Sequence, residues 1–91
     1  MNAELVKKTA LEVVTERYSF LLKDDFDIVA HQCTNHIAFG GRHDDIYGWV
    51  ESHGAVVVAT AFSPYGQSTN EFSNLKAACH FCIKWHFMFK H

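Results

Sequence analysis

The last third of the chain contains cysteine and histidine residues at spacings that suit a metal ion. Cys79, Cys82 and His86 are three and four positions apart, so they share one side of a helix. Thiolate sulfur and imidazole nitrogen are typical ligands of structural zinc, which takes four of them. A fourth ligand would come from one of three upstream residues: Cys33, His31 or His36. Because a zinc-binding Cys-x-x-Cys usually lies in a turn and this one lies in a helical pattern, we expect both cysteines to be small residues of the buried core, with zinc as the alternative.

Residues capable of nucleophilic or acid–base catalysis are present without a diagnostic arrangement. His31 lies two positions before Cys33, and His43 stands next to Asp44. Either pair would act in catalysis only if the fold aligned it with a substrate. Redox chemistry at Cys79 is not expected, since this residue lies about two turns inside a helix, away from the N-terminus that would lower the pKa of its thiol. We predict that the protein is not an enzyme and needs no cofactor.

The same C-terminal helix carries a basic stripe, formed by Lys76, His80 and Lys84 at intervals of four residues. Aromatic and apolar residues occupy two other sides of this helix. A terminal helix in a small domain cannot readily bury both of them, so we expect exposed aromatic side chains that bind a partner; the alternative is that the first helix covers them. The predicted contact residues are Lys76, His80, Lys84, Trp85, Phe89 and Lys90, with Trp49 and Tyr65 as further candidate anchors.

The first half of the chain predicts one helix and two strands. Apolar residues recur at helical spacing from Ala3 to Leu22. Alternation favours a strand over Phe26–Gln32, a tight turn at residues 33–36 and a short returning strand over Ile37–Phe39, although a second helix over this region fits nearly as well.

The second half predicts a helix, a strand and a final helix. Ile46, Trp49, Val50 and His53 favour a short helix over Asp45–Ser52, capped by Asp44 and ended by Gly54. Ala55–Phe62 is typical of a buried strand, and residues 63–66 of a turn. The last helix is expected to begin at Ser68, because Ser68 and Glu71 have the spacing of a capping box. The predicted fold is a single α+β domain over residues 1–91, in the order α-β-β-α-β-α, with long terminal helices packed on a short sheet.

One local resemblance concerns the segment from Asp27 to Asn35 with the following Gly40 and Gly41. It resembles the strand and loop that begin an ADP-ribose-binding macro domain, over less than a fifth of the chain. The glycine-rich phosphate loop that follows in that family has no counterpart here. No ligand and no residue role is therefore carried over.

Composition and charge limit the possible functions. The chain has 91 residues, of which 48% are hydrophobic and 14% aromatic, and its formal charge is −2. An acidic balance opposes binding nucleic acid over a large surface, three cysteines fit poorly with a disulfide framework, and no apolar run is long enough to span a membrane. We therefore predict a cytoplasmic, non-enzymatic binding protein that acts as an inhibitor or adaptor on a larger protein or nucleoprotein complex. Phage or mobile-element inhibitors of host nucleases or CRISPR complexes have this size. Direct nucleic-acid contact through the basic stripe and self-association remain open, and the alternative function is a zinc-stabilised nucleic-acid-binding module that uses Cys79, Cys82 and His86 with Cys33.

Overall fold

The computed structural model describes residues 1–22, 25–42 and 46–89, which contain two α-helices and a five-stranded antiparallel sheet. The first helix is α1 (Ala3–Arg17), followed by a short 3-10 turn at Ser19–Leu21. The remaining elements are β1 (Ile28–Gln32), β2 (Ile37–Gly41), β3 (Ile46–His53), β4 (Val56–Ser63), β5 (Gly66–Phe72) and α2 (Leu75–Met88). Each strand pairs with the next along the chain, in the order β1-β2-β3-β4-β5. The predicted α+β class is confirmed.

Both helices pack on the same face of the sheet. Helix α1 lies over β1 and β2, while α2 lies over β3, β4 and β5, and the two helices contact each other. The core between the layers contains Val6, Val13, Val14, Ile28, Phe39, Val50, Ala59, Cys79, Cys82 and Ile83, all fully buried. No helix or strand among the described residues covers the opposite face, so the domain has two layers and one open sheet face.

Helix α1 follows the predicted pattern but ends earlier than Leu22. The side chain of Asn2 caps it by accepting a hydrogen bond from Leu5 N at 2.8 Å. The helix ends at Arg17, because Tyr18 leaves the helical region with φ −133° and ψ 36°. The ring of Tyr18 then packs against α2, with its centroid 6.2 Å from that of Phe87.

The two strands predicted in the first half are confirmed, and the helical alternative for that region is wrong. Strands β1 and β2 form a hairpin in which Ile28 pairs with Gly41 and Gln32 pairs with Ile37. The turn between them is closed by Cys33 N, which donates to His36 O at 2.8 Å. The two-layer arrangement of this domain differs from the three-layer fold of a macro domain.

The helix predicted over Asp45–Ser52 is wrong, because residues 46–52 lie in strand β3. Asp45 and the proposed cap, Asp44, lie outside the described residues. A β-bulge explains the misleading pattern. Phe39 pairs with Gly48 and Gly40 pairs with Ile46, so Tyr47 is an extra residue between these pairs. The bulge shifts the alternation of side chains, and Ile46 and Trp49 consequently share one face although they are three positions apart. Apolar residues at positions 46, 49 and 50 therefore have the spacing of one face of a helix, although Val50 lies on the buried face of the sheet.

The final helix begins at Leu75 rather than at Ser68. Asn74 is its N-cap and accepts a hydrogen bond from Ala77 N at 2.8 Å. The supposed capping box at Ser68 and Glu71 lies within strand β5. The predicted turn after β4 is confirmed, with Ser63 paired to Gly66. Because that turn is tight, β5 returns alongside β4 and satisfies the backbone hydrogen bonds of β4. The order of elements is therefore α-β-β-β-β-β-α.

Candidate functional site

The two cysteines of α2 belong to the core, as the sequence favoured. Cys79 and Cys82 are fully buried, and the thiol of Cys82 donates to Thr60 O at 3.6 Å. Burial raises the pKa of the Cys79 thiol to about 12. Burial, with a smaller contribution from the neighbouring Cys79, raises the pKa of Cys82 as well. Both residues therefore remain neutral thiols and act as small apolar groups under the sheet.

The structure does not bring the alternative zinc ligands together. Cys33 lies in the β1–β2 turn, where its thiol faces His31 O at 3.9 Å, while Cys79 and Cys82 lie on the buried side of α2. The ring of His86 packs against Tyr47, with the ring centroids 4.4 Å apart. Within the described residues, no group of three histidine, cysteine, aspartate or glutamate side chains could hold a metal ion.

Two members of the basic stripe join α2 to α1. Lys76 Nζ lies 2.6 Å and 2.9 Å from the two carboxylate oxygens of Glu16. His80 Nε2 lies 3.2 Å from Tyr18 Oη, and burial lowers the pKa of His80, with further lowering by Arg17 and Lys84. Lys84 is exposed, and Lys90 lies outside the described residues. The stripe therefore leaves one described cation, Lys84, to face a partner.

Aromatic residues of α2, together with Phe72 at the end of β5 and Phe89 after α2, form a row on the side away from α1. Ring centroids are 5.2 Å apart for Phe72 and Phe81, 6.1 Å for Phe81 and Trp85, and 4.8 Å for Trp85 and Phe89. All four residues are half-buried. The indole Nε1 of Trp85 is buried and has no hydrogen-bond partner in the described part of the chain. We call these four residues the α2 aromatic row; it includes the predicted anchors Trp85 and Phe89 and stays partly accessible.

The open face of the sheet is a second accessible apolar surface. One cross-strand row runs His31–Ala38–Trp49–Thr60–Thr69, from β1 to β5. A parallel row contains Val29, Gly40 and Ile46. Further residues on the same face are Glu51, Val58, Phe62 and Glu71. We call this surface the open face.

Trp49 lies at the centre of the open face. Its ring centroid is 6.4 Å from that of Phe62 and 5.8 Å from that of His36. Ile46 is 47% exposed and Phe62 37% exposed. In antiparallel sheets the side turned to solvent is normally polar. Here that side carries apolar and aromatic side chains, and exposed apolar surface of this kind is typical of interaction sites.

The charges around the open face are mixed. Glu51 carries a carboxylate 3.0 Å from His53 Nε2, and Glu71 lies on the adjoining part of β5. On the opposite side, Arg42 follows β2, and its backbone N–H donates to Asp27 O at 3.1 Å. No continuous basic surface forms among these residues.

A hollow lies at the end of the open face near β1. It has a volume of about 210 Å³ and is lined by Val29, His31, Ala38, Phe39, Gly40, Gly41, Arg42 and Ile46. The hollow forms because Gly40 has no side chain between Val29 and Ile46, its partners on the neighbouring strands. We call it the Arg42 hollow.

Comparison of the chain with protein-family models, with curated proteins and with solved structures finds no match. None of the helices in the described ranges is long and apolar enough to cross a membrane.

Sequence reasoning named Trp49 as a candidate anchor but missed the surface around it. The sequence contained one signal of this surface: Ala55–Phe62 has apolar residues on both faces, and one layer of helices covers only one of them. Three of the predicted aromatic anchors thus lie in two separate places. Trp85 and Phe89 lie in the α2 aromatic row, whereas Trp49 lies on the open face.

Proposed function

We propose that this protein is a non-enzymatic binding protein that attaches to a larger protein or nucleoprotein complex through the open face. One observation carries the proposal: Trp49 and its apolar neighbours stand on the solvent side of a sheet whose other side alone is covered by helices. Such a surface is unfavourable in water, and burying it against a partner releases that cost.

The composition of the open face suits a protein surface as its partner. Tryptophan is among the residues that most often dominate binding energy at interfaces, especially at the centre of a ring of smaller contacts. Trp49 has this position, with Phe62 and Ile46 beside it. The glutamates Glu51 and Glu71 would repel the phosphates of a nucleic acid at the same surface.

The mode of action that follows is occlusion. A small domain that covers a functional surface of a larger complex acts as an inhibitor, and one that also holds a second partner acts as an adaptor. The α2 aromatic row with Lys84 is the second surface that an adaptor would use. Inhibition of a host nuclease or CRISPR complex is the narrowest form of this proposal.

Affinity purification of the tagged protein from its native host, followed by mass spectrometry, tests the proposal. The purification is run with and without nuclease, for the native chain and for Trp49→Ala and Lys84→Glu. Loss of a central interface tryptophan typically costs at least about 2 kcal/mol, which weakens the affinity for the partner about thirtyfold. We expect this loss for Trp49→Ala and a change of less than about threefold for Lys84→Glu.

The variants also identify which surface is used. Each must melt as a folded protein in circular dichroism, so that loss of binding is not loss of fold. Full recovery of the partner by Trp49→Ala, together with its loss in Lys84→Glu, would transfer the function to α2 and refute the open face.

A further inference from the structure

The Arg42 hollow combines an apolar interior with a polar rim. Its walls are the side chains of Val29, Ala38 and Ile46, and its floor is the glycine backbone of β2. Arg42 and His31, both exposed, complete the lining. An occupant would therefore place an apolar group in the hollow and an acceptor group at its edge.

Arg42 supplies the positive charge of the hollow. No ion pair with any described residue engages the Arg42 guanidinium, and this side chain is exposed. Asp27, the residue before β1, is already occupied, since its carboxylate accepts from Ile28 N at 2.9 Å and lies 3.7 Å from Lys7 Nζ. A guanidinium binds carboxylates with two parallel hydrogen bonds, and a histidine ring supplies another N–H donor.

The size of the hollow limits what it can hold. Pockets that enclose cofactors and drug-sized ligands usually have about 300–1,000 Å³, and this one has about 210 Å³. A single residue of a peptide fits this space better than a nucleotide does. Aspartate or glutamate would bring a carboxylate without an apolar group. Among the residues of a protein chain, only the last one combines an aliphatic side chain with a free carboxylate.

We infer that the Arg42 hollow binds the C-terminal residue of a partner protein, with its aliphatic side chain between Val29 and Ile46 and its α-carboxylate on Arg42 and His31. The inference rests on the proposed function, because the hollow is continuous with the open face: Ile46 lies in both. It adds the chemistry that the partner must present, a free carboxylate after an aliphatic residue.

Two small probes test this recognition without knowledge of the partner. N-acetyl-L-leucine carries the carboxylate, and N-acetyl-L-leucine amide has the same shape without the charge. Each is titrated into the ¹⁵N-labelled full chain while backbone amide signals are recorded. We expect saturable shifts of the signals of Val29, His31, Ala38 and Arg42 with the acid, and at least about tenfold weaker binding of the amide.

Variants separate the charge from the cavity. Arg42→Gln should abolish the preference for the acid, while Lys84→Gln, which removes the same charge from α2, should leave it unchanged. Ala38→Val should weaken both probes by filling the space. Equal affinity for acid and amide, a preference that survives in Arg42→Gln, or equal shifts of these signals with a ten-residue oligothymidine would each overturn the inference.

The two proposals can fail separately. If the acid does not bind but Trp49→Ala still loses the partner, the carboxylate recognition is wrong and the open face stands. If the acid binds with the expected preference but Trp49→Ala keeps its partner, the hollow is confirmed as a carboxylate site and the proposed use of the open face is wrong.

Discussion

Replacing Gly48 with alanine should destabilise the protein strongly, because α2 and β4 leave no room for a side chain at this position. A Cβ at residue 48 would lie 2.3 Å from Thr60 O, 2.7 Å from Cys82 Sγ and 3.1 Å from Ala61 Cα. Two of these atoms belong to the backbone of β4, which pairs with β3 at this point through Gly48 and Ala61. The chain cannot relieve the contacts without separating the strands or lifting α2 from the sheet.

The magnitude follows from the costs of overpacking and of glycine. Inserting a methyl group into a packed core costs typically 1–3 kcal/mol, and the contacts with backbone atoms place the cost here at about 3 kcal/mol. Alanine is intrinsically better than glycine in a strand by roughly 0.5–1 kcal/mol, which offsets part of the cost. The net loss is then about 2 kcal/mol. Since 1 kcal/mol shifts the Tm of a domain of this size by about 4–8 °C, the Tm should fall by about 8–16 °C.

Thermal unfolding followed by circular dichroism measures this change, and Cys82→Ala provides a matched background. Removing the thiol removes one of the contacts, so Gly48→Ala should cost at least about 0.5 kcal/mol less in Cys82→Ala than in the native chain. Gly54→Ala is the control for the substitution itself: nothing lies within 4 Å of its Cβ, and only the positive φ of 65° opposes it. A fall in Tm of less than about 3 °C for Gly48→Ala would refute the close packing of α2 on β3.

Three further predictions concern single side chains. The pKa of His80 is lowered by burial and by nearby cations. The stability that His80 contributes is therefore present above its unfolded pKa of about 6.5 and is lost as the pH falls towards the folded value. The Tm of His80→Gln should fall less than that of the native chain between about pH 7.5 and 5.5, and an equal fall would contradict this. Burial and raised pKa values should protect Cys79 and Cys82 from a thiol reagent in the native protein, so that Cys33 alone reacts quickly and the other two only on unfolding; fast reaction of all three thiols would be incompatible with the structure. Trp49→Ser should lower the Tm by less than about 8 °C, because the indole is only half-buried in the free protein, and a global loss of structure would show that Trp49 belongs to the core instead.

Elements with a clear local pattern could be predicted from the sequence. In α1, Val6, Ala10, Val13 and Val14 recur at helical spacing, and each of them is buried against the sheet. The β1–β2 hairpin and β4 were likewise found from alternating or continuous apolar residues. These elements could be predicted because the pattern of each depends only on which of its own residues are buried.

Strands β3 and β5 could not be recognised for different physical reasons. The bulge at Tyr47 changes the side-chain alternation of β3, and no local residue announces a bulge. Strand β5 is mostly polar, from Gln67 to Glu71, and exists because β4 requires a hydrogen-bonded partner. Its stability depends on a neighbour, which a reading of local propensity does not include.

The candidate site depends on tertiary structure even more. Lys76 and His80 have the spacing of an exposed stripe, but Glu16 of the first helix and Tyr18, which follows that helix, bind them. Trp49 became the centre of a surface only because both helices pack on the other face of the sheet. The face of the sheet on which the helices pack is a property of the whole fold. The open face is therefore visible in the structure and not in the pattern of apolar residues along the sequence.

Site-specific photocrosslinking tests most directly whether the open face is the binding surface. Phe62, beside Trp49, is replaced with the photoreactive amino acid benzoylphenylalanine, and the protein is irradiated in its native host. Phe20, which is 75% exposed and lies outside the open face, is replaced in the same way as the control. We predict a covalent adduct of one defined mass from position 62 and none from position 20. An adduct of equal yield from both positions, or none from position 62 while one forms from position 89, would contradict the account.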